Sequence, residues 1–465
     1  MKITIHDPTF CQTDQPKSLR VNELSFKKEF YKKEAHYGKM KRHEYHEFLI
    51  NSKGFFLTGL LPRILQYCKD NKIDFEIISG PGNLSSEVPL ELDEISSLFK
   101  LRDDQKILVT STLNTNRGVI TAPTGTGKTV LIAAIISAFP RAKVLFLCHT
   151  LTLLKQTQKE FDNYNLKDSS IISGANKNTN NSKIIVSTVQ SFSKPELLNN
   201  LYNKFDIVFI DECHHVSTTH GLYAQTLTRL TAPRRYGFTA TIPTRTEAQF
   251  ALEGLVGPII GSFPIEEAIN QEILAIPKIE LISIPTCEAL KDLYKYSDIY
   301  ATGIVEYRKR NRIIIEKAIE LNKLGKSVLI YITKIEHGER LMEMTNLLGT
   351  TSVFIRGASD TEIREETRQA LNKKEILLAI ATTAWGEGVN IRSLDCIFLA
   401  GGGKSELALI QRIGRGLRRT ETKIEAMIID CLDQGKYLSE HCIARLKVYI
   451  EKGWIQFYDP NSRAF

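Results

Sequence analysis

The stretch VITAPTGTGKTVLIAAIISAF, residues 119–139, joins a short apolar run to a longer one through a glycine-rich turn. Its centre follows the spacing G-x-x-x-x-G-K-[ST] of a phosphate-binding loop, with Ala122 in the place of the first glycine. Such a loop needs a strand before it and a helix after it, and both flanks have that character. The sequence therefore predicts a nucleotide site in an α/β fold, and a glycine-rich turn without a ligand is the alternative.

The residue types of this loop suit a polyphosphate. Glycines can adopt backbone angles closed to other residues, so their N–H groups can turn toward phosphate oxygens at the start of a helix. A lysine adds a full positive charge on the β- and γ-phosphates, and the following threonine hydroxyl can hold Mg²⁺. The predicted ATP-binding residues of the loop are Thr124, Gly125, Thr126, Gly127, Lys128 and Thr129.

A second motif, IVFIDECHHV at residues 207–216, places two carboxylates at the end of an apolar run. We predict that Asp211 holds Mg²⁺ together with Thr129 and that Glu212 polarises the attacking water. Cys213 and the two histidines after it also suggest a metal site. Adjacent side chains at a strand end rarely converge on one ion, so hydrogen bonds to neighbouring motifs are the favoured interpretation.

A third motif, QRIGRGLRR at residues 411–419, concentrates arginines near the end of the chain. The planar guanidinium group suits bidentate contact with a γ-phosphate. On a second lobe, such arginines would complete the nucleotide site only when a cleft closes. A solvated basic helix is the alternative for the motif taken alone.

Length and composition define the class of protein. At 465 residues the chain is too long for one core, and two or three domains are expected. The eight cysteines are scattered singly, which predicts reduced thiols in a cytoplasmic protein. No apolar run reaches the length of a membrane span, and the N-terminus has no signal-peptide pattern, so no membrane partner is expected.

The net charge of +8 is concentrated in two basic clusters, at residues 27–46 and 305–312. Basic side chains mixed with aromatic ones suit a nucleic-acid backbone, although a solvated helix face is the alternative. The predicted nucleic-acid contacts in the first cluster are Lys32, Lys33, Lys41 and Arg42.

Short β-type runs alternate with helical stretches in two series, which predicts two parallel sheets covered by helices. The first series comprises residues 119–122, 144–150, 183–188, 207–212 and 236–241. The second comprises residues 327–333, 352–357, 376–383, 396–401 and 426–431. Only the first series contains a phosphate loop, so we expect one site between two lobes.

Taken in order, seven motifs resemble the series of superfamily-two helicases and translocases. They are LRDDQ (101–105), APTGTGKT (122–129), VSTVQSF (186–192), DECHH (211–215), GFTATIPTR (237–245), AWGEGVN (384–390) and QRIGRGLRR (411–419). The resemblance implies an α/β fold with two tandem RecA-like parallel-sheet lobes and a small N-terminal α+β accessory domain. The implied domains are residues 1–97, a DNA-binding accessory domain, 98–285, the first lobe, and 286–465, the second lobe with its arginine finger.

The resemblance also implies roles for single residues in nucleotide binding. Gln105 matches the glutamine that recognises adenine, while Lys128 and Thr129 match the phosphate and Mg²⁺ residues. Gly388 and Asn390 match the motif that touches both nucleotide and strand. Asn390 stands where the family commonly has an acid, which puts the ribose contact in question.

The implied catalytic residues come from both lobes. Asp211 and Glu212 resemble the family's catalytic pair. Gln411, Arg415 and Arg418 match its final motif, in which the two arginines act as γ-phosphate sensor and finger.

Coupling and strand contact are implied in the first lobe. Thr239, Ala240 and Thr241 match the segment that links the state of ATP to movement of the lobes. Thr188 and Gln190 resemble a contact with the strand backbone.

Residues 54–77 resemble the accessory domain of phage UvsW-like helicases, and residues 257–279 resemble DNA-acting branches of the superfamily. The implied function is ATP-driven unwinding or branch migration of forks, Holliday junctions and D- or R-loops, in the host cytoplasm if the chain is phage-encoded. An RNA–DNA hybrid is a further implied substrate, and recombination or replication proteins are implied partners. The alternatives are the motor subunit of a restriction or repair complex and a nucleotide-switched nucleic-acid-binding protein without processive unwinding.

Overall fold

The computed structural model describes nine parts of the chain. They are residues 1–33, 40–80, 87–174, 182–356, 361–382, 391, 393–417, 419 and 423–455, with side chains except at 29–33, 40–43, 361, 362, 364, 407 and 415. Contacts divide the chain into two compact units, one of residues 1–122 and 127–263 and one of residues 123–126 and 264–465. The division into three domains at residues 97 and 285 stays a prediction.

The first unit begins with two small sheets. One has the order β5-β2-β1-β6 and the other is an antiparallel ribbon of β3 and β4. The strands are β1 Lys2–Ile5, β2 Phe10–Thr13, β3 Ser25–Lys33, β4 Met40–Phe48, β5 Phe55–Leu57 and β6 Glu76–Ser79, and the helices are α1 Pro16–Leu19 and α2 Leu61–Asp70. The basic cluster at 27–46 is therefore a β-ribbon in its described part rather than a helix face.

These small sheets share a core with the rest of the first unit. Ile3, Phe56 and Ile64 pack in one buried cluster with Phe250, which lies more than 180 residues further along the chain. Arg235 is fully buried and donates to the hydroxyl of Thr9 at 2.9 Å. The N-terminal region is therefore built into the first unit.

A seven-stranded parallel sheet forms the centre of the first unit, in the order β13-β7-β12-β11-β8-β10-β9. Its strands are β7 Arg117–Thr121, β8 Val144–Cys148, β9 Ser169–Ile172, β10 Ile184–Thr188, β11 Ile207–Asp211, β12 Arg234–Thr239 and β13 Ile259–Ser262. The helices of this part are α3 Leu92–Phe99, α4 Asp103–Leu113, α5 Lys128–Ala138, α6 Leu151–Asn163, α7 Val189–Phe192, α8 Pro195–Leu201, α9 Leu222–Leu227 and α10 Thr246–Leu255. Central strands such as β8 and β10 are buried along their whole length, as expected where helices cover both faces.

The second unit contains a six-stranded parallel sheet in the order β14-β19-β18-β15-β17-β16. Its strands are β14 Ile276–Ser283, β15 Val328–Ile332, β16 Val353–Ile355, β17 Leu378–Thr382, β18 Cys396–Leu399 and β19 Glu425–Leu432. Its helices are α11 Ile265–Asn270, α12 Tyr296–Tyr300, α13 Arg308–Lys323, α14 Ile335–Leu347, α15 Thr361–Asn372, α16 Glu406–Gly416 and α17 Leu438–Glu451. Arg310 and Asp433, both buried, form a bidentate ion pair at 2.6 and 3.0 Å that ties α13 to the end of β19.

The predicted fold class is confirmed: each unit has a parallel sheet with helices, and every β-type run of the two predicted series overlaps a strand. The sequence analysis did not identify β9, β13 and β14, which are edge strands of the two sheets. Across the part of the chain that the structure describes, no helix combines the length and the apolar character that crossing a membrane requires.

Candidate nucleotide site

The phosphate loop begins where β7 ends. The amide of Ala122 donates to the carbonyl of Thr239 at 2.9 Å, which fixes the start of the loop against the neighbouring strand β12. Gly125 and Gly127 have φ angles of 94° and 95°, values that favour glycine, whereas Ala122 keeps a negative φ. The departure from the glycine pattern at Ala122 therefore costs no backbone strain.

Lys128 opens α5, directly after Gly127 at the N-cap. Its Nζ donates to the carbonyl of Ala122 at 3.2 Å and lies 4.0 Å from Oε1 of Glu212. The helix behind it is buried and apolar, which holds the lysine backbone in place. The amine thus lies between the start of the loop and the carboxylate predicted to act on water.

Gln105 is buried beside the loop. Its Oε1 accepts a hydrogen bond from the backbone of Arg102 at 3.2 Å, in a capping box at the start of α4. A Cβ atom added to Gly127 would lie 2.7 Å from Nε2 of Gln105. The positive φ and this close approach together require glycine at position 127.

The two carboxylates lie at the end of β11, where Asp211 is the last residue of the strand and Glu212 follows it. The amide of Glu212 donates to Oδ1 of Asp211 at 3.0 Å, and Glu212 has a φ of 48°, in the left-handed region that is uncommon for a glutamate. Burial, and next the charge of Glu212, raise the pKa of Asp211 to about 7, while Lys128 lowers it. The strand end therefore places Asp211 where burial and the neighbouring carboxylate disfavour its charged form.

These residues fit Mg²⁺. Asp211 supplies a carboxylate whose raised pKa indicates that the charged form needs a nearby cation. Thr129 supplies a hydroxyl that makes no hydrogen bond to any residue in the described ranges. Oxygen ligands of this kind are the ones that Mg²⁺ prefers, and the bound ion would neutralise phosphate charge and favour ionised Asp211.

His214 lies between the predicted catalytic carboxylate and the predicted coupling segment. Its Nδ1 lies 3.3 Å from Oε2 of Glu212 and 2.9 Å from the hydroxyl of Thr239. That hydroxyl also donates to the carbonyl of Thr241 at 3.0 Å and accepts from its amide at 3.3 Å. Ala240 lies between the two threonines. The histidine therefore makes the hydrogen bond to a neighbouring motif that the sequence predicted.

The sequence analysis missed His149, which follows β8 by one residue. Its ring stacks on that of His215, with centroids 4.0 Å apart and planes 13° from parallel. Burial, then the charges of His214 and His149, lower the pKa of His215 to about 3, so the ring is neutral at pH 7. The sequence contained an indication of this residue, because His149 directly follows an apolar run whose end lies at the same edge of the sheet as Asp211.

The predicted strand-binding residues have different environments. Thr188 is buried at 4% exposure, and its hydroxyl caps α7 by accepting from the amide of Ser191 at 3.2 Å. Gln190, two residues later, is exposed. Their roles in nucleic-acid binding stay predictions. The side chains of the four basic residues predicted in the ribbon lie outside the described residues, namely Lys32, Lys33, Lys41 and Arg42.

The second unit carries the remaining predicted residues. Gln411 lies partly buried in the middle of α16. Arg419, just beyond the helix, pairs with Glu272 at 3.0 Å in the same unit. The side chain of Arg415 and the whole of Arg418, Gly388 and Asn390 lie outside the described residues, so their roles stay predictions.

Two family models match the chain. Residues 98–244 match "Type III restriction enzyme, res subunit", and residues 310–420 match "Helicase conserved C-terminal domain". The chain is similar to helicase 22 of the Sulfolobus islandicus filamentous virus (isolate Iceland/Hveragerdi), with 28% identity over 346 residues. That match covers 68% of this chain and 60% of the relative, so the chain spans less than two thirds of that relative's length.

Two further similarities are informative. The ATP-dependent DNA helicase uvsW of Enterobacteria phage T4 is 23% identical over 381 residues, which cover 75% of this chain and 74% of that protein. The structure of S. cerevisiae Dbp5 bound to RNA and ADP BeF3 aligns with a TM-score of 0.57 at 16% identity, over 78% of this chain and 92% of that one. The latter similarity shows the fold alone.

The motif order, the nucleotide site and the two family models define the class: the chain belongs to the superfamily-two ATP-dependent helicases. Within that class it is related to UvsW of phage T4, as the sequence resemblance predicted.

Proposed function

We propose that the chain is an ATP-driven DNA helicase or translocase that unwinds or branch-migrates branched DNA, such as forks, Holliday junctions and D- or R-loops. The proposal depends chiefly on one observation, the position of His214, whose Nδ1 hydrogen-bonds Thr239 of the predicted coupling segment at 2.9 Å and lies 3.3 Å from Oε2 of Glu212. A protein that only bound nucleotide would need the phosphate loop but would have no use for a water-activating base linked to a second segment.

Different side chains have different roles in the proposed hydrolysis. Lys128 stabilises charge on the transferred phosphate, and Glu212 accepts the proton of the attacking water. His214 hydrogen-bonds Thr239 and lies beside Glu212, so a movement of Glu212 at the γ-phosphate shifts the histidine and its hydrogen bond to the coupling segment. Arg415 and Arg418 stabilise the transition state when the two lobes close, which makes turnover depend on movement.

DNA as the substrate is supported by the relative named as a DNA helicase and by the basic ribbon. In the ribbon Lys32 is opposite Lys41 and Tyr31 is opposite Arg42. Like charges at directly opposed positions are unfavourable in a strand pair unless an anion offsets them, and a DNA backbone does so. We propose that this ribbon selects branched DNA while the motor supplies force.

Unwinding of four labelled substrates by the full chain tests the proposal. A four-way junction, a fork, an RNA–DNA hybrid and a tailed duplex are compared at equal concentration with ATP and Mg²⁺. We expect the junction and the fork to be processed fastest. Equal rates on the tailed duplex would contradict the preference for branched DNA, and no ATP-dependent unwinding of any substrate would contradict the helicase function.

A motor subunit of a restriction or repair complex is the second candidate, because residues 98–244 match the res-subunit model. Such a subunit would hydrolyse ATP on DNA, but it would need its partner protein to process the DNA. The four-substrate assay separates the two, since we expect the chain to process junctions without an added protein. A nucleotide-switched binding protein is a third candidate, and it predicts steady-state ATP turnover that DNA does not stimulate.

A further inference from the structure

A cavity of about 150 Å³ lies in the second unit, at the carboxyl ends of β15 and β18. One water molecule needs roughly 10–15 Å³, so the cavity can take a group of several heavy atoms. From β15 the chain runs through α14 to β16 at one side of the sheet, and from β18 it runs through α16 to β19 at the other. Ligands of open parallel sheets bind at such a point, where neighbouring strands connect in opposite directions.

A glycine loop borders this cavity. Gly402 and Gly403, which follow β18, have φ angles of 61° and 101°. A Cβ atom added to either residue would meet nothing within 4 Å, so the backbone is open on that side. The loop leads directly into the first turn of α16, where the hydroxyl of Ser405 caps the amide of Ala408 at 3.3 Å and the positive end of the helix dipole favours an anion. A ligand in the cavity can therefore approach main-chain N–H groups closely.

Three cationic side chains line the same cavity. Arg445 is engaged, because it donates to both carboxylate oxygens of Asp430 at 2.7 and 3.0 Å and to the carbonyl of Gly403 at 2.8 Å. Lys404 and Arg412, in contrast, make no hydrogen bond or ion pair with any part of the chain that the structure describes. Arg412 is partly buried. Desolvation is the main cause that lowers its pKa, and the positive charge of Arg445 lowers it further.

The buried carboxylate that contacts Arg445 is already in use. Asp430 accepts hydrogen bonds from Arg445 and, at 2.8 Å, from the hydroxyl of Tyr449. The positive charges of Lys404 and Arg445 also lower the pKa of His441 beside the cavity, after burial as the first cause. The cavity therefore carries positive charge that the described residues do not neutralise.

We propose that this cavity binds a phosphate group, held by Lys404, Arg412 and the glycine loop. A tetrahedral, multiply charged oxyanion offers acceptors to a guanidinium, an ammonium and backbone amides at once. The group can come from the backbone of a bound DNA strand or from free phosphate in solution. Binding of a DNA strand in this cavity depends on the proposed function. Binding of free phosphate does not.

The experiment uses the full chain without nucleotide. Binding of a labelled single-stranded oligonucleotide is measured by anisotropy between 0.05 and 0.5 M salt, and thermal unfolding is measured in phosphate and in chloride at equal ionic strength. Lys404→Gln and Arg412→Gln test the cavity. Lys326→Gln is the matched control, because Lys326 is an exposed lysine just before β15, at the opposite edge of the same sheet.

If the phosphate belongs to a strand, Lys404→Gln weakens binding about fivefold at 0.1 M salt and reduces the salt slope by about 0.7, the value for one phosphate contact on a single strand. If the site takes free phosphate, strand binding is unchanged, but phosphate stabilises the parent and Lys326→Gln and fails to stabilise Lys404→Gln. Lys404→Gln behaving like Lys326→Gln in both assays overturns the proposal. Normal unwinding by the parent would leave the helicase function intact in that case.

Discussion

Replacement of Glu212 by glutamine is the sharpest test of the catalytic site. Glutamine keeps the length and shape of the side chain, and its amide can still contact Nδ1 of His214, now 3.3 Å from Oε2. It cannot accept a proton from water. Loss of a general base commonly lowers turnover by a factor of 10²–10⁴, which corresponds to about 3–5 kcal/mol in the barrier.

Nucleotide binding responds in the opposite direction. The carboxylate of Glu212 lies 4.0 Å from Nζ of Lys128, so it competes with the phosphates for the lysine. Its removal leaves the full positive charge of Lys128 to ATP, and binding stays equal or becomes tighter. We therefore expect a variant that holds ATP and DNA normally but turns over slowly.

The assay is steady-state phosphate release with and without single-stranded DNA, together with titration of a fluorescent ATP analogue. Glu94→Gln is the matched control, because Glu94 is an exposed glutamate of α3 in the same unit. Parent and control should hydrolyse ATP at the same rate. Turnover of Glu212→Gln within tenfold of the parent would refute the assignment of Glu212 as the base.

Three further results are expected. Arg418→Ala should bind ATP almost normally and lose most DNA-stimulated turnover, because a finger acts only in the closed state; full stimulated turnover would contradict this. Asp433→Asn should lower the free energy of unfolding in urea by about 3–5 kcal/mol, because it leaves Arg310 buried without its charge partner; a loss below about 1 kcal/mol would contradict this. Burial is the main cause that lowers the pKa of His337 to about 3, and the charge of Arg310 is the second. Below about pH 6.5 the unfolded chain therefore binds a proton that the folded chain does not. The free energy of unfolding should therefore fall as the pH decreases from 6.5 toward 3, and His337→Gln should reduce that slope by up to about 1.4 kcal/mol per pH unit; an unchanged slope would contradict this.

The sequence predicted the two sheets because central parallel strands are apolar along their whole length. Such runs are visible without any partner, as VLFLC at Val144–Cys148 illustrates. The chemistry of the site was predictable for a related reason. The predicted functional side chains lie at or beyond the carboxyl ends of strands at one edge of the sheet: Asp211 is the last residue of β11, and Lys128 begins α5 after the loop that follows β7.

Other features depend on contacts that sequence spacing does not encode. The stack of His149 on His215 joins two strand ends that are 66 positions apart in the sequence and contiguous only because β8 lies beside β11. The use of Thr188 as a helix cap depends on where α7 begins. The cavity proposed to bind phosphate combines residues of α12, β18, α16 and α17 with the loop after β18, and Lys404 taken alone is an ordinary surface lysine.

The position of the N-terminal region limits how its role can be tested. Removing residues 1–97 would expose Phe250, which is 9% exposed within the shared cluster, and would take Thr9 away from the buried Arg235. A truncated chain that lost its junction preference would therefore report a damaged first unit as readily as a lost DNA contact. Glutamine at Lys32, Lys33, Lys41 and Arg42 changes the charge of the ribbon and removes neither Thr9 nor the cluster around Phe250. Junction preference that survives all four substitutions would place selectivity in the motor itself.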